Sequence, residues 1–371
     1  MKKIGALILA IILLIAFILP YINSGDVAQD KDNVSFGFES SNTFLSIGQG
    51  VPFEFECSAV DAVDRIELIL DGVIVKEWVP KGAELVFSVN TEQLELGSYA
   101  IEVRGYVNDV LVNNDERVLF VNSSAPLNEQ EFELLSTHPH NPKNFTQGYA
   151  FNNDVLYEST GNPSQTSATM VAKIDPETGA SILERKQPNP IFGEGITILN
   201  SKLYQVSWQD QKCFVYDALN LIPIDTMEYI GEGWGLCNDG KSIIMSNGTN
   251  KLTFRNPENF EITQTIQVHS DRGPVTNLNE LEFFNGRIFA NIWIEERRFQ
   301  HDSRMNLGKI VVINPKSGAV EAFLNINEIL QLASAENVPN GIAYRKKTNS
   351  FWLTGKYWNQ VFEIKLSSKS K

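Results

Sequence analysis

Thr146-Gln-Gly-Tyr-Ala-Phe151, Gly193-Glu-Gly-Ile-Thr-Ile198, Gly233-Trp-Gly-Leu-Cys237, Leu278-Asn-Glu-Leu-Glu-Phe283 and Pro339-Asn-Gly-Ile-Ala-Tyr344 are five versions of one segment. Each opens an apolar strand, and each is followed by a polar turn and a second strand. The second strands centre on Tyr157, Tyr204, Ile244, Phe289 and Trp352, with spacings of 47, 40, 45 and 63 residues. A third strand then runs into a turn at Asp175-Pro-Glu-Thr-Gly179, Asp217-Ala-Leu-Asn220, Asn256-Pro-Glu-Asn259 and Asn314-Pro-Lys-Ser-Gly318. All-β repeats of roughly this period indicate propeller blades of four strands each. The long last gap holds Ile326-Asn-Glu-Ile-Leu-Gln-Leu-Ala333, whose spacing predicts a helix. Glu131-Phe-Glu-Leu-Leu135 has no repeat of its own and is expected to close the ring against Val361-Phe-Glu-Ile-Lys-Leu366. The expectation for residues 129–366 is a five-bladed β-propeller.

The repeat also selects residues. Counting back ten positions from the second-strand centres gives Gln147, Glu194, Trp234 and Asn279, and the longer fifth copy gives Asn340. Five unlike residues at one structural position suit a functional ring better than a structural one. Glycines at 148, 195, 235 and 341 let the backbone bend close to the axis, while the fourth copy has Glu280 there. Glu194 is the one carboxylate of the ring. Desolvation among tryptophans would raise its pKa toward neutrality, which suits a proton shuttle. A carboxylate capping turn amides is the competing reading. Trp208, Trp234, Trp293 and Trp358 fall at loop or strand ends in four different repeats, where they would wall a ligand. Lys356 follows Thr354-Gly355 and alone carries little weight.

Upstream, residues 31–123 read as about seven short strands, the pattern of an immunoglobulin-like β-sandwich. Asp71-Gly72 marks a hairpin between Ile66–Leu70 and Val73–Val75. No histidine or metal-ligand cluster occurs there, so a spacer or docking module is expected. Residues 1–24 begin with Lys2 and Lys3, then run uncharged from Ile4 to Leu19. A cleaved signal peptide and an uncleaved membrane anchor through residues 4–22 both remain open, the anchor being favoured for want of an Ala-x-Ala site. Either reading makes the protein extracytoplasmic, periplasmic or at the cell surface, with an uncleaved segment holding it to the inner membrane.

The chain of 371 residues carries a net charge of −14. Residues 25–125 hold 18 acidic and 6 basic side chains, so most of the charge lies on the sandwich. This balance argues against nucleic acid as a partner. Cys57, Cys213 and Cys237 are read as buried free thiols, with a Cys213–Cys237 bridge as the alternative.

The strings FTQG (145–148), YESTG (157–161), FGEGIT (192–197), GEGWGL (231–236), LNELE (278–282), ANIW (290–293), NGIAY (340–344) and TGKYW (354–358) resemble, in order, the glutamine cyclotransferase family of the plant and bacterial type. The resemblance spans about residues 130–366 and leaves the sandwich uncovered. It implies a five-bladed propeller and conversion of N-terminal glutamine, on peptides or proteins, to pyroglutamate with release of ammonia. It also implies that no cofactor is required and that a calcium ion in the channel would be structural. Phe145, Gln147, Phe192, Glu194, Trp208, Trp234, Asn279, Trp293 and Lys356 stand at matching positions. By the resemblance Glu194 is the catalytic acid/base. Asn279, Gln147 and Lys356 are then candidate donors to the oxyanion, and Phe145, Phe192, Trp208, Trp234 and Trp293 the substrate-binding residues. A monomer is expected.

The chain departs from the family pattern at Asn162-Pro-Ser-Gln-Thr166, Ser246-Asn-Gly-Thr249 and Asn359, and inserts the charged stretch Ile294–Arg304. These changes bear on substrate preference more than on the reaction. Two rivals remain: a non-catalytic, membrane-tethered propeller that binds peptides, and a propeller hydrolase such as a lactonase. The second needs a metal cage, for which Glu194, Glu280 and the two asparagines are too few by count.

Overall fold

The hairpin at Asp71-Gly72 forms as the dipeptide predicts, with Leu70 paired to Val73 and both turn residues at positive φ, 46° and 80°. Only a primed turn needs two such residues, and its twist matches that of the flanking strands. This computed structural model describes residues 36–163, 169–187, 190–293, 308–333 and 338–367. The proposed anchor at 4–22 and the charged insertion at 294–304 lie outside the described residues.

Residues 37–122 form two sheets. Gly37–Phe38, Phe53–Ser58 and Val86–Val89 make a three-stranded one. Phe44–Gly48, Val110–Asn122, Gly97–Val107, Arg65–Leu70 and Val73–Trp78 make a five-stranded one, in that spatial order. The alternating burial of Phe53, Phe55 and Cys57 turns one face of the smaller sheet inward. Residues 36–371 cluster as one unit, and the two regions touch at a polar seam. There His269 Nδ1 lies 2.9 Å from Asn122 Oδ1, and Ser123 N donates to Ser270 O at 3.1 Å.

The five copies of the repeat each start a sheet. The first contains Thr146–Asn152, Val155–Thr160, Met170–Ile174 and Ser181–Lys186. The second contains Gly193–Leu199, Lys202–Ser207, Lys212–Asp217 and Pro223–Glu228. The third contains Leu236–Asn238, Ile243–Ser246, Lys251–Arg255 and Ile262–Gln267. The fourth contains Leu278–Phe284, Arg287–Ile292, Lys309–Ile313 and Val320–Asn325. Asn128–Glu129 adds a short parallel strand to its outer edge, which the sequence did not announce.

The fifth sheet contains Pro339–Arg345, Ser350–Gly355 and Gln360–Leu366. Its outermost strand is Phe132–Pro139, paired antiparallel to the last strand from Phe132↔Leu366 to Pro139↔Gln360. The unrepeated segment at 131–135 therefore does close against the C-terminal strand. The helix expected at 326–333 forms over Asn327–Leu332.

Packing makes the five sheets a cycle. One buried apolar cluster lies between each neighbouring pair. Tyr157, Ile196 and Leu203 join sheets one and two, and Val206, Leu236 and Met245 join two and three. Ile244, Leu281 and Val311 join three and four, Phe289, Phe351 and Phe362 join four and five, and Tyr149, Ala172 and Trp352 join five and one. The four turns also repeat in detail. Gly179, Leu221, Phe260 and Gly318 each donate their amide to the carbonyl four residues back, at 2.8 or 2.9 Å, and each has positive φ.

Candidate active site

The residues counted out of the repeat fall at breaks in the pairing of the innermost strands. Between the first two strands of the first sheet the register slips from Thr146 to Gly148, skipping Gln147. It slips from Gly193 to Ile196, from Leu278 to Leu281 and from Pro339 to Ile342 in the second, fourth and fifth. Glu194, Asn279 and Asn340 lie in those gaps. In the third sheet Ser246 O accepts from Trp234 N while Ser246 N donates to Gly235 O. A bulge frees a residue from the ladder and re-aims its side chain, which is how an edge of regular strands acquires a site.

The glycines beside them serve the contact between neighbouring inner strands. A Cβ on Gly148 would lie 2.5 Å from the amide nitrogen of Ile196, in the next sheet. On Gly195 it would lie 2.6 Å from both Leu236 N and Trp234 O. On Gly235 it would overlap the backbone of Asn279 and Glu280. Glu280 replaces glycine in the fourth copy and reaches across instead, accepting from Tyr149 N at 3.2 Å and Ile342 N at 2.8 Å.

Glu194 is 5% exposed, and burial pushes its carboxyl well above the usual carboxylate range. The Lys356 ammonium pulls it back and Glu232 adds to the rise. Gln147 Nε2 donates to Glu194 Oε1 at 3.0 Å, and Gln147 Oε1 accepts from Asn340 Nδ2 at 2.8 Å. Both ends of the Gln147 amide are thus engaged. Among the described residues, buried Asn279 Oδ1 and Asn340 Oδ1 have no hydrogen-bond partner. Such acceptors are costly in a filled core.

The aromatic candidates pack on one another. Phe145 packs edge-on against Phe192 at 6.1 Å, and Phe192 against Trp208 at 5.7 Å. Trp234 meets Trp293 at 5.7 Å and 90°. Lys356 is buried with Nζ 4.6 Å from the Phe145 ring centre. Trp358 does not join them. It is 1% exposed and packs on Phe362 in the core between the fourth and fifth sheets.

Residues that counting back could not single out complete the arrangement. Glu232 accepts from the indole nitrogens of Trp208 and Trp234, at 2.9 and 3.0 Å. Tyr357 packs on Phe145 at 5.2 Å. Glu158 is buried and accepts from Asn144 Nδ2 and Thr146 Oγ1, with His140 Nε2 3.1 Å away. The rule selected one position per repeat, whereas these act from two residues before it, from the neighbouring strand or from a loop.

The calcium ion that the resemblance implies would need oxygen donors near the axis. Glu280 and Glu282 are buried carboxylates of the fourth inner strand, and each oxygen of both already accepts a backbone N–H. Burial pushes Glu282 up to about 8 and Glu280 well above the usual range, so neither offers a ready anion. Among the described residues no three His, Cys, Asp or Glu side chains group to hold a metal. These carboxylates do not by themselves make a calcium cage. The three cysteines are buried and free.

Residues 116–366 match the model of a family described as glutamine cyclotransferase. The chain is 34% identical over 247 residues to a glutaminyl-peptide cyclotransferase of Arabidopsis thaliana, a match spanning 65% of this chain and 72% of the relative. The crystal structure of Myxococcus xanthus glutaminyl cyclase is similar with a TM-score of 0.57 and 29% identity, over 65% of this chain and 98% of that one.

Proposed function

The chain belongs to the glutamine cyclotransferase family, and on that premise we propose that it converts N-terminal glutamine of peptides or proteins to pyroglutamate, releasing ammonia. In this reading the cycle of five sheets is a five-bladed propeller, residues 31–123 are an immunoglobulin-like module, and the protein works outside the cytoplasm as a monomer.

The observation that carries the proposal is the buried Glu194 carboxyl, re-aimed by a bulge, held by Gln147 and faced by Lys356. The substrate's α-amine attacks its own γ-carboxamide carbon. Both groups belong to one residue, so folding the side chain back between Trp208, Trp234 and Trp293 supplies much of the acceleration. Glu194 takes the proton from the attacking amine and returns it to the departing nitrogen, which leaves as ammonia. A carboxyl raised well above the usual carboxylate range is a stronger base once ionised and holds its proton for return, which suits both halves of that relay. Activity should therefore rise with pH through the raised Glu194 pKa, because the base form is the one that starts the cycle.

Lys356 and Asn279 are the better candidates to stabilise the oxyanion on the γ-carbon. Gln147, engaged at both ends, instead orients Glu194. Phe145 and Phe192 complete the wall. No step requires a metal. The test incubates the protein with glutaminyl peptides and measures ammonia and pyroglutamate, with and without EDTA. Equal amounts of both, unaffected by EDTA, support the reading. Peptide binding without ammonia release would favour a binding protein instead.

A further inference from the structure

We propose that Glu232 is a positioning residue of this site: its carboxylate joins Trp208 to Trp234 in one preformed aromatic wall and thereby sets the affinity for substrate. The proposal rests on the cyclotransferase reading and extends it to a residue that neither the repeat nor the ring singles out.

The aromatic rings follow one another around the site from sheet to sheet. Tyr357 touches Phe145, Phe145 touches Phe192 and Phe192 touches Trp208. The series resumes with Trp234 on Trp293. Between Trp208 and Trp234 no ring contact is recorded among the described residues, and a carboxylate fills that step. Glu232 Oε2 accepts both indole N–H groups, at 2.9 and 3.0 Å, while Gln209 Nε2 donates to Oε1 at 3.1 Å. An indole has a single N–H and no acceptor, so bonding it fixes the plane of the ring.

The local sequence is built for this. Gly231 is left-handed, with φ 93°, and Gly233 N donates to Trp208 O at 3.2 Å. The turn therefore carries Glu232 between the second and third sheets. Trp208 is 38% exposed and would otherwise turn among several rotamers. Holding it in advance removes that ordering cost from the binding step.

The same carboxylate touches the chemistry through its charge. Among the described residues, Lys356, Glu232 and the Tyr229 hydroxyl are the titratable groups that act on Glu194 or feel its charge. Burial and Glu232 raise Glu194 against Lys356, so removing the Glu232 charge takes away one of the two raising effects and lowers the pKa of Glu194.

The test measures steady-state kinetics of the full chain on a glutaminyl peptide for the wild type, Glu232→Gln, Trp208→Phe and the double variant. Gln keeps the shape and its carbonyl oxygen can still accept both indoles, but the acceptor becomes neutral and its amide nitrogen meets Gln209 Nε2. Weakening two bonds from a charged to a neutral acceptor predicts a KM rise of about tenfold for Glu232→Gln, with kcat changed by less than about threefold. The acidic limb of kcat/KM should move to lower pH, and the two substitutions should be clearly less than additive. An unchanged KM with an unmoved limb, or full additivity, would overturn the proposal. A titration with pyroglutamyl peptide, followed by tryptophan fluorescence, reads the same loss of affinity without turnover. If the wild type cyclises nothing, the functional reading fails, while this titration still decides whether Glu232 governs binding.

Discussion

Gly195→Ala tests the arrangement of the ring and the site together. A methyl group there would lie 2.6 Å from Leu236 N and Trp234 O and 2.7 Å from the Gly235 Cα, all backbone atoms of the next sheet. None can swing aside as a side chain would, so the second and third sheets must part by something near 1 Å to restore ordinary contact. The Gly195 N–Trp234 O hydrogen bond, now 2.6 Å, would stretch beyond bonding range. Overpacking costs about 1–3 kcal/mol, and the lost bond adds about 1 kcal/mol. At about 2–4 °C per kcal/mol for a domain of this size, Tm should fall by roughly 5–15 °C. Because Glu194 and Trp234 adjoin the point of contact, kcat should also fall by about a hundredfold, the usual consequence of a 1 Å misplacement. Thermal unfolding followed by circular dichroism reads the first effect and ammonia release the second. A variant that melts within about 2 °C of the wild type, a shift worth under 1 kcal/mol, and keeps its turnover would refute the close approach of these two strands.

Gln147→Leu should lower kcat by about 10–100-fold and stability by about 1–3 kcal/mol, since it removes a donor to the buried Glu194 carboxyl and an acceptor of Asn340 Nδ2; steady-state kinetics with a melting curve checks both. His140→Leu should destabilise the protein by about 3–5 kcal/mol, because it strips a buried carboxylate of its cationic partner; urea unfolding measures this. Burial raises the pKa of Glu363, but hydrogen bonds from Ser350, His138, Ser136 and Thr348 outweigh it and hold the group at about 2. A folded pKa below the unfolded one adds stability that is present above about pH 4.5 and lost as pH falls toward 2. Glu363 lies on the strand that receives Phe132–Pro139. Glu363→Gln should therefore lower the melting temperature at neutral pH and flatten its decline between pH 4.5 and 2.

The sequence was legible wherever one position repeated. Five copies of the glycine-bearing segment announced five sheets, and the stretch at 131–135 was recognisable as the closing segment because it had no repeat to join. Gln147 and Glu194 were found in the same way, and they meet at 3.0 Å. What the repeat could not announce depends on contacts between copies. Glycine in the pattern suggests a bend, yet Gly195 and Gly235 act by letting the neighbouring backbone come close. Trp358 looked like a fourth wall residue because its place in the repeat resembled the others. Burial against Phe362 put it in the core. Glu232 carried no signal of its own, since its role depends on two indoles from different sheets converging on one oxygen.

The most direct test of the account is the stoichiometry and Glu194 dependence of cyclisation. The full chain, given a glutaminyl peptide, should release one ammonia for each pyroglutamyl peptide formed. Glu194→Gln should bind the peptide with similar affinity and turn it over about 10²–10⁴ times more slowly, the range expected for loss of a general acid–base. No product from the folded wild type, or a Glu194→Gln variant within a few-fold of it, would contradict the account.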